Sequence, residues 1–264
     1  FFMNALGDSR RPLYYLIFSS LLNIVLDLLF VGVFRFGVWS AAVATVISQF
    51  ASVVLCLSYL CKKGFEYRIE FKKLKIHTNR LKAIMQVGLP AGFQGMVFSL
   101  SNVLIQSSVN SFGSLVMAGN TAAANIEGFV YIAMNAIYQA SITFVSQNLG
   151  AHKPKRILRV MWICLIVVFL VGLVLGNLVY LCSHTLLGIY ASNEEGTREA
   201  IIEVGRIRMS YVGKLYFFCG LMEVGCGGMR GLGRSWVPTT VSLLGACGIR
   251  LAWIFTIFRH FGTL

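Results

Sequence analysis

The sequence predicts an all-α, polytopic membrane protein: a transmembrane helix bundle with two parallel, pseudo-symmetric six-helix lobes, of which this chain holds about seven helices. Three observations lead to this fold class. The 264 residues are 57% hydrophobic and only 12% charged, with a mean hydropathy of +0.74. Soluble domains carry about a quarter charged residues. Long apolar segments alternate with short polar ones, and one polar turn occurs twice. The expected surroundings of this chain are therefore a lipid bilayer.

The apolar segments are long enough to cross a membrane, which needs about 20 predominantly apolar residues. Seven segments qualify, at approximately 12–33, 38–61, 84–112, 116–148, 157–182, 199–229 and 236–258. The third and fourth are the most polar, so we expect them to face a bundle interior or a wet cavity. Small residues in AAVAT at 41–45 and in VGCGGMRGLG at 224–233 predict close packing of helices.

The polar turn ALGDSRRP at 5–12 recurs as GLGRSWVP at 231–238, with four identities at one offset of 226 residues. Each copy runs through a proline into a long apolar segment. Glycine and serine end the preceding helix, and we expect the proline at the first position of the next helix, where no hydrogen bond is lost. The recurrence indicates two homologous halves.

The charges of the connecting segments alternate along the chain. One set is basic: Arg10 and Arg11, the run from Lys62 to Lys82, residues 153–159, and Arg230 with Arg234. The other set contains Arg35, an uncharged turn near 112–115 and the acidic pair Glu194 and Glu195. By the positive-inside rule the basic loops 62–82 and 150–159 are cytoplasmic. Six spans separate the two copies of the turn, so both copies lie on that side and the repeat is parallel.

The basic segment 62–82 is the natural linker between the halves. It divides the chain into the end of an N-lobe at 1–61, the linker at 62–82 and a C-lobe at 83–264. Four spans lie between the linker and the second copy of the turn, whereas none precedes the first copy. We therefore expect a fragment that covers helices 5 to 11 of a twelve-helix parent.

Two polar residues, Asn23 and Asp27, lie near the middle of the first span. A spacing of four places them on one helix face, where an ionised carboxylate costs about 2.5–3.5 kcal/mol on insertion scales. Carboxylate and amide oxygens are hard ligands that suit Na⁺, and a desolvated carboxyl group can carry a proton. The pair predicts a cation site. The alternative is that Asp27 is protonated, or bonds Asn23, and only fixes the packing.

Three charged residues of the C-lobe lie at similar depth. Glu127 is in the fourth span, Lys214 in the sixth and Arg250 in the seventh. Isolated charges are costly at this depth, so we expect Glu127 to approach Lys214 or Arg250. The network is interpreted either as a structural ion pair or as a substrate-facing group. Glu223, closer to the cytoplasmic end of its span, is expected at the interface.

Other classes of site are not indicated. Most of the seven cysteines lie in apolar segments without a C-x-x-C pair, and the four histidines are too far apart for a metal site. We expect no enzyme activity, since nucleophile and base do not converge, and no cofactor. The net charge of +13 is concentrated between spans, which argues against nucleic-acid binding. The expected partners are a small organic molecule and the bilayer; no motif indicates an oligomeric state.

Five segments carry a family resemblance. They are ALGDSRRPLYYLIFSSLLNIVLDLLF at 5–30, GVWSAAVATVISQ at 37–49, VGLPAGFQ at 87–94, VSQNLGAHKPKR at 145–156 and MRGLGRSWVP at 229–238. In this order they resemble the multidrug and toxic compound extrusion (MATE) transporters of the MOP superfamily. The resemblance covers essentially the whole chain. It implies a plasma-membrane antiporter that exports organic, often cationic, drugs and toxic compounds by alternating access, in exchange for Na⁺ or H⁺.

The resemblance also implies site residues. In several members an N-lobe cation site combines an acid on the first helix with an Asn and an Asp on the fifth and a Thr on the sixth. Asn23, Asp27 and Thr45 match that arrangement, and a possible Na⁺ would bind at Asp27; the first-helix acid lies outside this chain. A Na⁺-coupled branch uses a glutamate on the seventh helix, but the segment 84–112 contains no acid. This difference favours the N-lobe site.

Two other transport functions remain as alternatives. A lipid-linked saccharide flippase of the same superfamily would need basic residues in its cavity, whereas the N-lobe spans bury an acid and have Arg10, Arg11 and Arg35 only at their ends. A channel would conduct without a counter-ion. The residues alone do not exclude it.

Overall fold

The structure is a computed structural model that describes residues 2–37, 39–61, 75–190, 195–253 and 256. Within this part of the chain every regular element is a helix. The chain divides into two compact units, 1–77 and 78–264. The division falls inside the predicted linker 62–82, of which residues 62–74 lie outside the described residues.

The first unit is built from two long helices. A single helical turn, Phe2–Ala5, precedes helix α1 at Arg10–Asp27. Helix α1 then continues as a π-helical segment, Leu28–Val33. After a short connection, helix α2 spans Trp39–Leu60. The bounds of both helices follow the first two predicted spans.

Small residues form the contact between α1 and α2. Ser40, Ala44, Ser48 and Ser52 are buried and recur every fourth residue, which places them on one face of α2. Ser19 of α1 is also buried, and its hydroxyl donates to the carbonyl oxygen of Ser48 at 2.8 Å. Small side chains let the two backbones approach closely, as the segment AAVAT predicted.

The second unit contains the remaining helices. They are α3 at Thr78–Asn110, α4 at Ser114–Gly150, α5 at Pro154–Leu181, α6 at Ser183–Tyr190, α7 at Glu195–Gly231 and α8 at Trp236–Ser242. The last helix continues as a π-helical segment, Leu243–Gly248, and is helical through residue 253. The short helix α6 was not predicted. Pro90 lies inside α3 without ending the helix.

Within the described residues, five helices are long and apolar enough to cross a membrane by length and composition: α1 with its π-helical segment, α2, α3, α4 and α5. Helix α7 has 37 residues, long enough to span, but it is far more polar. The all-α transmembrane fold class is confirmed. These helices make the chain a multi-pass membrane protein.

Helices α4, α5 and α7 enclose the core of the second unit. One cluster joins α4, α6 and α7, and includes Ala123, Leu187 and Met209, each fully buried. A second cluster joins α4, α5 and α7 around Met134 and Val168. Many other large apolar side chains are exposed in the protein alone, as expected for surfaces that face lipid.

Glycines allow this close packing. A Cβ atom at Gly172 of α5 would lie 2.8 Å from the Cα atom of Phe217 in α7. At Gly231 it would lie 2.8 Å from Cβ of Val145 in α4. The glycine-rich segment 224–233 therefore serves helix packing, as predicted.

The two copies of the repeated turn adopt the same backbone. Gly7 and Gly233 have φ values of +88° and +79°, in the left-handed region that favours glycine. The amide of Asp8 donates to the carbonyl of Met3 at 3.1 Å, and at the same offset Arg234 donates to Met229 at 3.0 Å. In each copy the amide bonds to the carbonyl five residues earlier, and this hydrogen bond closes the helix end as in a Schellman motif. The repeat is thus present in the backbone as well as in the sequence.

The prolines of the turn lie two positions later than predicted. Helix α1 begins at Arg10 and helix α8 at Trp236, so Pro12 and Pro238 are the third helical residues, not the first. The physical reason given for proline near a helix start also applies at the third position, because the first four N–H groups of a helix have no partner within it. Proline therefore removes no helix hydrogen bond at this position either.

Candidate functional site

In the first unit the structure brings two of the three predicted cation-site residues together. The Asn23 side-chain amide donates to the Thr45 hydroxyl at 3.4 Å, which joins α1 to α2. The Thr45 hydroxyl donates in turn to the carbonyl oxygen of Ala41 at 2.9 Å. The amide oxygen of Asn23 and the lone pairs of Thr45 remain suitable for a hard cation.

Asp27 lies one turn beyond Asn23 on the same face of α1. Its Oδ1 atom is buried and has no hydrogen-bond partner among the described residues. The π-helical segment starts at the next residue, Leu28. A buried carboxylate oxygen without a donor is costly, and either a proton or a metal cation would remove that cost. This chemistry fits the predicted site, but the structure gives no hydrogen bond between Asn23 and Asp27.

In the second unit a cavity of about 980 Å³ lies among α3, α4, α7 and α8. Its wall is formed by one face of each long helix, because the lining positions recur every three or four residues. Among the described residues the wall contains polar and charged side chains together with the aromatic rings of Phe98, Tyr131, Tyr138, Tyr211 and Tyr216. The polar faces of α3 and α4 thus line a cavity, as predicted.

Glu127 lies in this cavity wall and is only 6% exposed. It pairs with Arg208 of α7 through two hydrogen bonds: Nε donates to Oε1 at 3.1 Å, and Nη2 donates to Oε2 at 2.7 Å. The third guanidinium nitrogen, Nη1, donates to the amide oxygen of Asn120. Such a two-point pair fixes both side chains and satisfies a carboxylate that water does not reach.

The expected pairing of Glu127 with Lys214 or Arg250 is wrong. The ammonium group of Lys214 instead lies 4.4 Å from the ring centroid of Tyr180 in α5, as a cation–π contact. Arg250 donates from Nη1 to the amide oxygen of Asn102 in α3 at 3.1 Å. The reason is geometric: Arg208 lies on the face of α7 that meets α4, whereas Lys214 is exposed on another part of that helix.

Arg230 is a cavity residue that the sequence analysis assigned to a cytoplasmic turn. It lies in the last turn of α7, and its guanidinium donates to the Tyr138 hydroxyl and, at 2.7 Å, to the Gln94 amide oxygen. These bonds join α7, α4 and α3 at one end of the cavity. Glu223, expected at the membrane interface, also lines the cavity.

Arg208 and Arg230 could have been found from one signal. Both lie at the ends of one long polar face of α7, on which positions recur every three or four residues. The positions of this face are 208, 212, 216, 219, 223, 226 and 230, and all seven line the cavity. The sequence analysis placed Arg230 in a connecting segment and did not single out Arg208.

The comparisons with known proteins agree on one family. The family model described as MatE matches residues 90–256. The chain is 28% identical over 268 aligned positions to the "Probable multidrug resistance protein YoeA" of Bacillus subtilis, covering 98% of this chain and 56% of that protein. It is 26% identical to the "Probable multidrug resistance protein NorM" of Thermotoga maritima, covering 97% and 54%. The chain thus spans about half the length of these curated relatives.

Solved structures share the fold. The Vibrio cholerae MATE transporter VcmN in its bent form superposes with a TM-score of 0.80 at 21% identity, over 98% of this chain and 58% of that one. A MATE transporter in complex with MaL6 superposes with a TM-score of 0.87 at 19% identity, over 97% and 56%. With the family model matched over more than half of its residues, the chain belongs to the MATE family.

Proposed function

We propose that the full-length protein is a multidrug efflux transporter, and that it is an antiporter which exchanges organic, often cationic, compounds for Na⁺ or H⁺. The observation that carries the coupling proposal is the buried Oδ1 atom of Asp27, which has no hydrogen-bond partner among the described residues. It lies one helical turn from Asn23, whose amide is bonded to Thr45. The names of the two bacterial relatives support the efflux proposal.

The cation would bind at Asn23, Asp27 and Thr45. The carboxylate of Asp27 supplies the charge for Na⁺ or takes the proton, and the Asn23 and Thr45 oxygens complete a hard-ligand set. Binding changes the charge in the middle of α1, directly before the π-helical segment Leu28–Val33. Such interruptions of a helix are frequent at functional sites. A change in charge there would favour one bend of the helix over another.

The transported compound would occupy the cavity of the C-lobe during part of the cycle. Its volume of about 980 Å³ is at the upper end of the roughly 300–1,000 Å³ range of small-molecule sites. Tyrosine rings supply flat apolar surfaces for aromatic compounds and can also bind cations. Glu127, paired with Arg208, would hold α4 and α7 together rather than bind the compound directly.

The organisation of the full-length protein follows from the repeat. We propose that residues 1–61 end the N-lobe, that the basic segment 62–82 is a cytoplasmic linker, and that residues 83–264 belong to the C-lobe. In the exchange cycle an outward-open protein takes up the cation and releases the compound, then reorients and loads again. A membrane potential of 100 mV supplies about 2.3 kcal/mol per charge moved, which corresponds to a roughly fifty-fold gradient.

A flippase for lipid-linked saccharides is the second candidate. It is favoured by the three arginines of the C-lobe cavity, Arg208, Arg230 and Arg250, which could attract a pyrophosphate. Two of these charges are held by Glu127 and by the Tyr138 and Gln94 side chains, however. The antiporter therefore accounts for more of the structure.

The test is dye efflux from proteoliposomes that contain the full-length protein. An ethidium-type dye is loaded, and a Na⁺ gradient or an H⁺ gradient is applied separately. We expect one gradient to move dye against its concentration difference. Equal dye movement without any gradient would indicate a channel, and no movement under either gradient would favour the flippase.

A further inference from the structure

We propose that the C-lobe cavity binds an anionic group of the transported compound, and that Arg250 is the residue that recognises it. The inference deepens the proposed function, since it assumes that this cavity carries the compound. It adds a preference for compounds that also carry a carboxylate or a similar group, which the expectation of an often cationic compound does not contain.

The charged side chains of the cavity wall determine which compounds it attracts. Among the described residues, three arginines and two glutamates line it, namely Arg208, Arg230, Arg250, Glu127 and Glu223. Glu127 and Arg208 neutralise each other through their two-point pair. Two positive charges and one negative charge remain. The cavity is therefore not an acidic site of the kind that a simple organic cation would prefer.

The two remaining arginines, Arg230 and Arg250, differ in how their guanidinium groups are held. Arg230 lies at one end of the cavity, and both of its Nη atoms donate to neutral acceptors, on Tyr138 and Gln94. Its Nε atom is buried. Arg230 is thus fixed by two side chains from other helices, and its guanidinium also lies 5.9 Å from the centroid of the Tyr138 ring.

Arg250 is held much less completely. Its side chain is partly exposed in the cavity wall, and Asn102 is the one hydrogen-bond partner that it has within the described part of the chain. A guanidinium group carries five N–H donors in a planar fork. The donors not used on Asn102 suit the two oxygens of a carboxylate, which arginine binds in a two-point arrangement.

The surroundings of Arg250 indicate the rest of the compound. Cys219 in the cavity wall interacts electrostatically with Glu223 and Arg250, and also with the Tyr131 and Tyr216 hydroxyls. Tyrosine rings provide flat surfaces on which an aromatic ring system packs. The geometry fits an aromatic compound that carries a carboxylate, sulfonate or phosphate group, with the anion at Arg250 and the rings against the tyrosines.

The experiment compares two probes that differ only in the anionic group: a xanthene dye with a free carboxylate and the methyl ester of the same dye. Binding to the purified full-length protein is measured by fluorescence anisotropy without any ion gradient. We expect the wild type to bind the carboxylate dye about tenfold or more tightly than the ester, as charge-assisted hydrogen bonds predict. Arg250→Gln should reduce this preference to about twofold and leave ester binding unchanged.

Two control variants make the result specific. Arg198→Gln removes an arginine of α7 that, like Arg250, has one neutral partner, here the carbonyl oxygen of Gly188, but lies outside the cavity wall. It should keep the full preference. Arg250→Lys keeps the charge and should retain part of it. A monodisperse elution profile and an unchanged melting temperature show that each variant is folded.

Equal binding of the two dyes by the wild type would overturn the inference. An equal loss of affinity for both dyes in Arg250→Gln would also overturn it. An anionic lipid could supply the same oxygen chemistry, so binding is repeated in phosphatidylcholine nanodiscs with and without phosphatidylglycerol. Competition by that lipid at Arg250 supports an anion site with a lipid head group as its occupant. Failure of gradient-driven efflux with the dye preference intact would contradict the proposed function alone.

Discussion

The charge of Glu127 illustrates how single residues are stabilised in this fold. The residue is almost completely buried, and its two oxygens accept from one guanidinium group. An isolated carboxylate in such surroundings would be very costly, so the position of Arg208 is as important as that of Glu127 itself. Asn120 holds the third nitrogen and makes the arrangement a network.

Removing the charge of Glu127 tests this network. Glu127→Gln leaves Arg208 without a counter-charge, and we expect it to destabilise the folded protein by about 3 kcal/mol. The double variant Glu127→Gln, Arg208→Gln should recover part of the loss. Unfolding in detergent, followed by circular dichroism, measures both effects.

The control for this prediction is the exposed pair of Asp8 and Arg11, at 3.1 Å. Asp8→Asn should change stability by less than about 1 kcal/mol, because water already solvates both charges. An equally small effect of Glu127→Gln would show that the buried pair contributes nothing.

The sequence predicted that Glu127 needs a cation but named the wrong one. Depth in the membrane can be estimated from position in a span, and Lys214 and Arg250 were chosen on that basis. Which helix face meets which neighbour depends on the packing of α4 against α7, and a single sequence does not contain this information. Long arginine side chains also extend well beyond their own helical turn. Thr45, by contrast, was assigned from the family resemblance, and the structure joins it to Asn23 of the preceding long helix.

At the scale of elements, the repeated turn was the most informative part of the sequence. Gly7 and Gly233 share a left-handed backbone, and the serines and prolines at matching positions begin α1 and α8 in the same way. The local residues alone determine such a turn, so it could be predicted. The short helix α6 depends on its packing in the core through Leu187 and was missed.

Replacing a turn glycine tests the backbone explanation. No heavy atom lies within 4 Å of a Cβ atom added at Gly233, so Gly233→Ala is penalised by its φ angle and not by a clash. We expect a loss of about 1 kcal/mol. Gly225→Ala, at an equally open position inside α7, should be neutral or slightly stabilising. Equal melting temperatures for the two variants would argue against this explanation.

Helix packing leads to a different prediction for Gly172. An added Cβ atom would meet the backbone of Phe217, which cannot move without separating α5 from α7. Gly172→Ala should therefore cost about 1–3 kcal/mol and lower the yield of folded protein. Thermal unfolding in detergent provides the measurement, again with Gly225→Ala as control. A stable Gly172→Ala variant would mean that these helices are not in close contact.

At the scale of the whole molecule, the sequence predicted a fold class and an approximate set of spans, and both agree with the helices. Hydropathy and length are properties of single segments, so spans can be predicted from them without knowing which helices are in contact. The cavity could not be predicted in the same way, because it is formed where helix faces from distant parts of the chain meet. Its polar faces on α3 and α4 were visible, but the contribution of α7 was not.

The proposed orientation can be measured with single cysteines in a cysteine-free, full-length protein. Lys155→Cys lies in the first turn of α5, within the basic segment 150–159 that the charge pattern places in the cytoplasm. It should react with an impermeant maleimide only after the cells are permeabilised. Ser114→Cys, at the first residue of α4 directly after the turn from α3, should react in intact cells. The opposite pattern would mean that the molecule is inserted the other way round.

The central claim is that Asp27 couples a cation to transport, and the most direct measurement compares two modes of dye movement in proteoliposomes. We expect Asp27→Asn to lose gradient-driven accumulation while it retains dye-for-dye exchange, because exchange needs the loaded protein to reorient but does not need the cation. Asp8→Asn, an acid in the same unit with an exposed partner, should retain both modes. Gradient-driven accumulation at the wild-type rate in Asp27→Asn would contradict the account.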